Sequence, residues 1–384
     1  MHSRTVLLAA AGMHMVTETA LAPFYPALFR AAFGVQDFAA TGWFITFTRV
    51  AAVLALPLWG LATRRWRLHS LVLFGQSAAV LLTIALALAP TFAAFTAIGV
   101  ALVAVKSVVL VAHPSTAGTH PDGLLPGVRQ YVAVLQGAIV LAAALGTTIV
   151  TVPDPMRALP ALAVAEVALL LACITAFRRT GVPQAPDTAT PAYRAPRLAL
   201  PPLAVAVLLF ALAGAVVRPF FTEFAAARGA SEVGGALLFA LAHAAAVFAA
   251  IRARTAPGLT GPVALAAVGL AVQAVATEPL LLALGRVVFG VGLGLAQVGL
   301  DLRVLGAARG SGTGYGLVAA AQHAGLLVAP MIAASGADAN LAAPLAMGAA
   351  LFAVLAVAAI PLLRTAVPDR PLSPEVSDVL VRTR

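Results

Sequence analysis

Ala22-Pro23-Phe24-Tyr25-Pro26, near the start of the chain, returns as Arg218-Pro219-Phe220-Phe221-Thr222, 196 residues later. Gly34 and Gly229 close the two segments at nearly the same offset. Around these landmarks, about twelve long apolar stretches fall into two similar halves, separated by a polar gap at 178–197. The pattern predicts a chain that lives in a bilayer and repeats a six-helix unit. Duplicated membrane units are the construction of secondary transporters, with the substrate site near the midplane between the repeats.

Composition leads to the same place. The 384 residues are 61% hydrophobic and 10% charged, with a mean hydropathy of +1.00. Soluble domains are about 45–50% apolar and about 25% charged, so much of this surface needs lipid as its solvent. Spanning helices need about 20 apolar residues each. The predicted spans are 5–27, 38–61, 69–90, 93–112, 127–152, 159–177, 198–217, 231–251, 261–277, 279–305, 314–336 and 342–363. None shows the alternation of a barrel strand. The first run carries no small-residue cleavage pattern and reads as a retained helix. The expected organisation is an all-α membrane protein: a six-helix bundle over 1–177, a Pro- and Arg-rich cytoplasmic linker over 178–197, a second bundle over 198–363 and a cytoplasmic tail over 364–384.

The formal charge of +10 reads as a topology signal rather than a nucleic-acid surface. Seventeen arginines fall on one side of the inferred membrane, and Arg30, Arg157, Arg218 and Arg228 on the other. Cytoplasmic loops collect basic residues in this way, which places both termini inside and the protein in a cell inner membrane. The single cysteine, Cys173, excludes internal disulfides and cysteine-rich metal sites.

Ionisable groups at bilayer depth cost about 2.5–3.5 kcal/mol each on insertion scales, so each is a candidate for function. The candidates are Glu18, Arg49, Lys106, Glu166 and Arg286, with His14, His243 and His323 as groups able to stay neutral. Glu18 stands four residues after His14, on one helix face, and a carboxyl so placed can take up and release a proton during a cycle. The competing role is a structural hydrogen bond. Lys106, the only lysine, can lose its proton where water is scarce, whereas arginine stays charged. It reads either as a substrate or proton site or as half of a Lys–Glu lock. Arg49 requires an acidic partner or an anion. Glu166 and Arg286 lie toward the outer ends of their runs, where snorkelling to the interface would accommodate them. Gln136 and the pair Gln322-His323 offer further polar contacts to a ligand.

These residues resemble the major facilitator superfamily, and within it the twelve-helix drug/proton antiporters. Glu18 followed by Pro23-Phe24-Tyr25-Pro26 is similar to the family's acidic residue and P-x-x-P helix end. Gly60-Leu61-Ala62-Thr63-Arg64-Arg65-Trp66-Arg67 resembles the loop motif G-x-L-a-D-R-x-G-R-R, without its acidic residue and second glycine. Arg286-x3-Gly290 resembles a pattern the family carries on helix 4. Gly137-x8-Gly146 keeps part of the antiporter signature, and Gly316-x8-Gly325-x3-Ala329-Pro330 matches it more fully in the other half. The resemblance implies rocking of one bundle against the other, with Glu18 and His14 in proton coupling. From the polar groups at bilayer depth, Arg49, Lys106, Gln136, His243, Gln322 and His323 are expected to line the substrate cavity. Gly60, Arg64, Arg65, Gly137, Gly146, Gly316, Gly325 and Pro330 become gating elements. The resemblance implies proton-coupled efflux of a small amphipathic compound by a monomer; uptake or exchange of a small organic anion is the alternative. No cofactor or metal is expected, and no nucleic acid. The chain has no H-E-x-x-H, phosphate loop or clustered carboxylates, and His113 to His120 reads as a plain loop. An enzyme is therefore not expected.

Overall fold

Proline removes a backbone donor and is tolerated where a helix starts, and two prolines shape the first element. A helix over Ser3–Thr19 ends ahead of a 3₁₀ turn, Ala22–Phe24, with Pro23 inside it, and a short helix, Tyr25–Phe33, restarts with Pro26 in its first turn. The predicted single run over 5–27 is therefore broken at the proline motif. Gly34 closes the short helix at φ 68°, its N–H bonded to Arg30 O and that of Val35 to Phe29 O. This left-handed cap is a position that glycine fills without strain. Gly229, at φ 83°, closes Phe221–Ala227 in the other half.

In the computed structural model, residues 3–62, 65–112, 120, 123–152, 155–180, 200–308 and 312–362 are described. Twelve helices of fifteen residues or more stand among them. They are α1 (Ser3–Thr19), α2 (Phe38–Ala62), α3 (Leu68–Ala87), α4 (Phe92–Lys106), α5 (Leu124–Val150), α6 (Pro160–Thr180), α7 (Leu200–Val216), α8 (Glu232–Arg252), α9 (Thr260–Val275), α10 (Pro279–Ala308), α11 (Gly312–Ala339) and α12 (Ala343–Leu362). Thr91 and Ser231 cap α4 and α8 by accepting the N–H of Ala94 and Gly234. By length and composition, seven described helices are able to cross a membrane, or eight if the bent pair Pro201–Val216 and Phe221–Ala227 is one span. The fourth helix changes at Lys106 to a 3₁₀ segment, Ser107–Ala112, and α6 runs to Thr180, past the expected boundary at 177. The expected linker falls almost wholly, and the expected tail wholly, outside the described residues, as do Arg64 and most of the loop from His113 to His120.

The packing repeats with the sequence. In the first set α1 packs on α5 and α6, α2 on α4, and α3 on α4 and α6. Six helices later α7 packs on α11 and α12, α8 on α10, and α9 on α10 and α12. The sets meet through α2 on α11, and α5 on α8 and α10. Small residues permit these approaches. A Cβ on Gly146 of α5 would overlap the carbonyl oxygen of Ala20 at the break after α1, and one on Gly325 of α11 would crowd that of Leu208 in α7. In both sets, glycine lets the fifth helix approach the first closely.

Candidate functional site

The break after α1 leaves Glu18 in the last turn of the helix, one residue before its end at Thr19, facing a cavity of about 70 Å³ within the first set. That is room for about five waters at about 10–15 Å³ each. Glu18, His14 and Thr17 of α1 line it with Arg49 of α2, Lys106 of α4 and Glu166 of α6. Glu18 Oε1 accepts from Arg49 Nη1, so the permanent charge of Arg49 has an acidic partner. His14 Nε2 lies 3.1 Å from Glu18 Oε2, across one helical turn. Neither ring nitrogen of His14 makes a hydrogen bond among the described residues, although the side chain is buried.

Lys106 does not join that group. Its Nζ lies 2.6 Å from Glu166 Oε1 and also donates to Thr17 Oγ1. Gln76 of α3 donates to Glu166 Oε2 and, at 3.2 Å, to the Glu166 backbone oxygen. Lys106 is 5% exposed and Glu166 1%, so α1, α3, α4 and α6 are tied by one buried network. The expectation that Glu166 snorkels to the interface is corrected: it faces inward, where Lys106 of α4 reaches it across the bundle and Gln76 of the adjacent α3 bonds it.

Arg286 is likewise buried rather than snorkelling. Its Nε and Nη2 donate to Leu238 O at 3.0 Å and Phe239 O at 2.9 Å, and the guanidinium stacks 4.1 Å above the Phe221 ring. Arg218 stands at the bend after α7 and shares a small cavity with His243, Arg286, Phe239 and Phe289. The two sets are stitched by Gln136, whose Nε2 donates to Gln297 at 2.6 Å while its Oε1 meets His243 Nδ1 at 2.6 Å. Gln322, exposed, and His323, half-buried, border neither cavity.

The gating candidates divide. Gly146 and Gly325 sit at close helix contacts, whereas a Cβ on Gly137 would meet only Val247 of α8, at 3.9 Å. Pro330 is buried in α11, its carbonyl facing Gly42 of α2 across the two sets. Gly60 and Gly316 lie within α2 and α11, and Arg65 is exposed just beyond α2. The sequence reading misses Gln76, Arg218, Gln273 and Gln297. It also misses Asp301, a half-buried acid in α10.

At the end of the molecule bearing the proline motifs, Thr222 donates to Pro23 O, Arg30 lies 3.3 Å from Glu223, and the Phe38 and Phe220 rings are 5.0 Å apart. Both Pro-Phe motifs therefore meet in one seal between the sets. Elsewhere, Arg129 of α5 donates to the backbone oxygens of Ala250 and Ile251 on α8.

No protein-family profile and no curated protein sequence matches the chain. Solved structures do. The structure of the human organic anion transporter MFSD10 (TETRAN) superposes with a TM-score of 0.70 at 15% identity, covering 93% of this chain and 98% of that one. A bacterial homologue of the human lysosomal transporter Spinster, inward-facing and occupied, gives 0.71 at 12% identity over 96% and 98% of the two chains. A point mutant of the nucleoside transporter NupG gives 0.67 at 11% identity over 95% and 100%. With helices repeating six by six around a shared interface, the chain has the major facilitator fold.

Proposed function

We propose that the chain is a secondary carrier that works by alternating access. It couples proton movement through Glu18 to the export of a small amphipathic organic compound. The observation that carries this reading is the Glu18–Arg49 pair, with His14 beside it, in a cavity next to the broken end of α1. A proton taken up by Glu18 cancels its charge and releases Arg49; loss of the proton restores the pair. A bound group that competes for Arg49 is thereby linked to the proton. Lys106 and Glu166, already neutralising each other, hold the frame in which this happens. The chain acts as a monomer in an inner membrane; the arginine bias of its loops supports placing both termini on the cytoplasmic side.

The alternative, uptake or exchange of a small organic anion, draws support from fold similarity to a protein described as an organic anion transporter. Arg49 and Lys106 are each paired with an acid here, so an anion would need a further cation.

The test uses the full chain in proteoliposomes with an imposed pH gradient and, separately, an imposed membrane potential. Substrate movement that follows the pH gradient supports the reading. Movement indifferent to it removes proton coupling.

A further inference from the structure

Arg218 owes its position to the broken seventh helix. The backbone leaves α7 at Val216, Arg218 N–H reaches Ala215 O at 3.3 Å, and after Pro219 the chain turns by 43° into Phe221–Ala227. Broken helices at membrane depth occur where they line a cavity. The Arg218 side chain makes no hydrogen bond or ion pair among the described residues, and half-buried, it faces the small cavity shared with His243 and Arg286.

Every other cation in the neighbourhood is accounted for. Arg49 has Glu18. Arg286 is fixed by two backbone carbonyls, by Gln273 Oε1 at 3.4 Å and by the Phe221 ring, all neutral. Arg218 lies within electrostatic reach of Arg49, Glu18, Arg286 and His243. Arg218 thus stands near two other arginines, one already paired with Glu18 and the other held by neutral groups, and has no carboxylate of its own among the described residues. Asp301 lies fifteen residues along α10 from Arg286, about 22 Å at 1.5 Å per residue, and is too far to help. Uncompensated charge of one sign inside a membrane protein is costly unless something of opposite sign joins it.

We infer that Arg218 is the ligand-facing cation of an anion subsite in the second half, framed by Arg286 and His243, which takes the carboxylate head of an amphipathic organic acid. The guanidinium fork suits an oxyanion, and the Phe239 and Phe289 rings beside it suit an apolar or aromatic tail. The free space there is about 10 Å³, about one water, so the head enters as the halves part. The inference deepens the carrier reading and rests on it, because it names the class of compound carried and places its charge opposite Glu18.

The test is thermal unfolding of the purified full chain with three probes of one shape: 4-phenylbutyrate, 4-phenylbutylamine and 4-phenylbutan-1-ol. The acid alone is expected to stabilise the wild type and Arg254→Gln, an exposed control. Arg218→Gln is expected to bind the acid at least tenfold more weakly, and Arg218→Lys to fall between. If Arg218→Gln does not give a cooperative melt, the comparison of Arg218→Lys with the wild type decides. Equal binding of the acid by wild type and variants, stabilisation by the amine as great as by the acid, or no response to the acid overturns the inference. Each of those results leaves proton coupling at Glu18 standing, since that is read from flux rather than binding.

Discussion

Replacing Lys106 by methionine strands Glu166, and the structure sets the scale of the loss. The ammonium and carboxylate are 2.6 Å apart and almost wholly buried. At an effective dielectric constant of about 20, charges at that separation attract by about 6 kcal/mol. Desolvation of both ions offsets much of this, so the pair's net contribution is small. Removing one partner is different, because the other stays buried without compensation, and such losses run to about 3–5 kcal/mol. Lys106→Met should therefore destabilise by about 3–5 kcal/mol. Glu166→Gln should cost a similar amount, since the Lys106 ammonium then keeps only neutral acceptors, Thr17 Oγ1 among them. The double variant Lys106→Met/Glu166→Gln removes both charges and should cost no more than about 2 kcal/mol, so with singles of about 3–5 kcal/mol each the double-mutant cycle gives a coupling energy of at least about 4 kcal/mol. Reversible unfolding in detergent measures the four stabilities, and transport in proteoliposomes is read on the same preparations. Single variants within about 0.5 kcal/mol of the wild type would refute the reasoning. A double variant that is stable yet transports nothing would show that Lys106 takes part in transport and is more than a lock.

Two further outcomes are expected. Gly146→Ala should destabilise by about 1–3 kcal/mol, because its Cβ overlaps the backbone at Ala20, whereas Gly137→Ala, with nothing nearer than 3.9 Å, should leave the melting temperature unchanged. Equal effects in unfolding measurements would contradict the close approach of α5 to the end of α1. Arg30→Cys/Glu223→Cys, joined by a short bis-methanethiosulfonate that forms a disulfide with each cysteine and releases sulfinate, should stop transport and recover on reduction, because Arg30 and Glu223 bridge the two sets where the proline motifs meet. The only native cysteine, Cys173, is buried, so background labelling should be low. The exposed ion pair itself is worth about 0–1 kcal/mol, so its loss should not affect folding. Undiminished transport by the linked protein would mean that this end does not open.

The helices, their duplication and the glycine caps at Gly34 and Gly229 are legible in the sequence because apolar length and turn chemistry are local properties. Which way a helix face turns is not local. Glu166 and Arg286 read as snorkelling residues when only their own helices are considered; their partners lie 60 residues away at Lys106 and on α8 and α9. In the sequence Arg218 counts only toward the charge bias between the two sides of the membrane. The signal of a further role is present in the repeat: Arg218 occupies the position of Ala22, just beyond Glu18, at the break where discontinuous helices present groups to a ligand. Asp301 is open to the same intramembrane reasoning that singles out Glu18. The pairing of Gln136 with His243 and Gln297 depends on how the two sets dock, which no single segment encodes.

The most direct measurement is proton flux and substrate flux recorded together in proteoliposomes, for the wild type, Glu18→Gln and Glu18→Asp. The account predicts a fixed ratio of the two fluxes in the wild type, partial retention with the shorter carboxylate, and substrate movement indifferent to pH when the carboxyl is gone. An unaltered ratio in Glu18→Gln would contradict it.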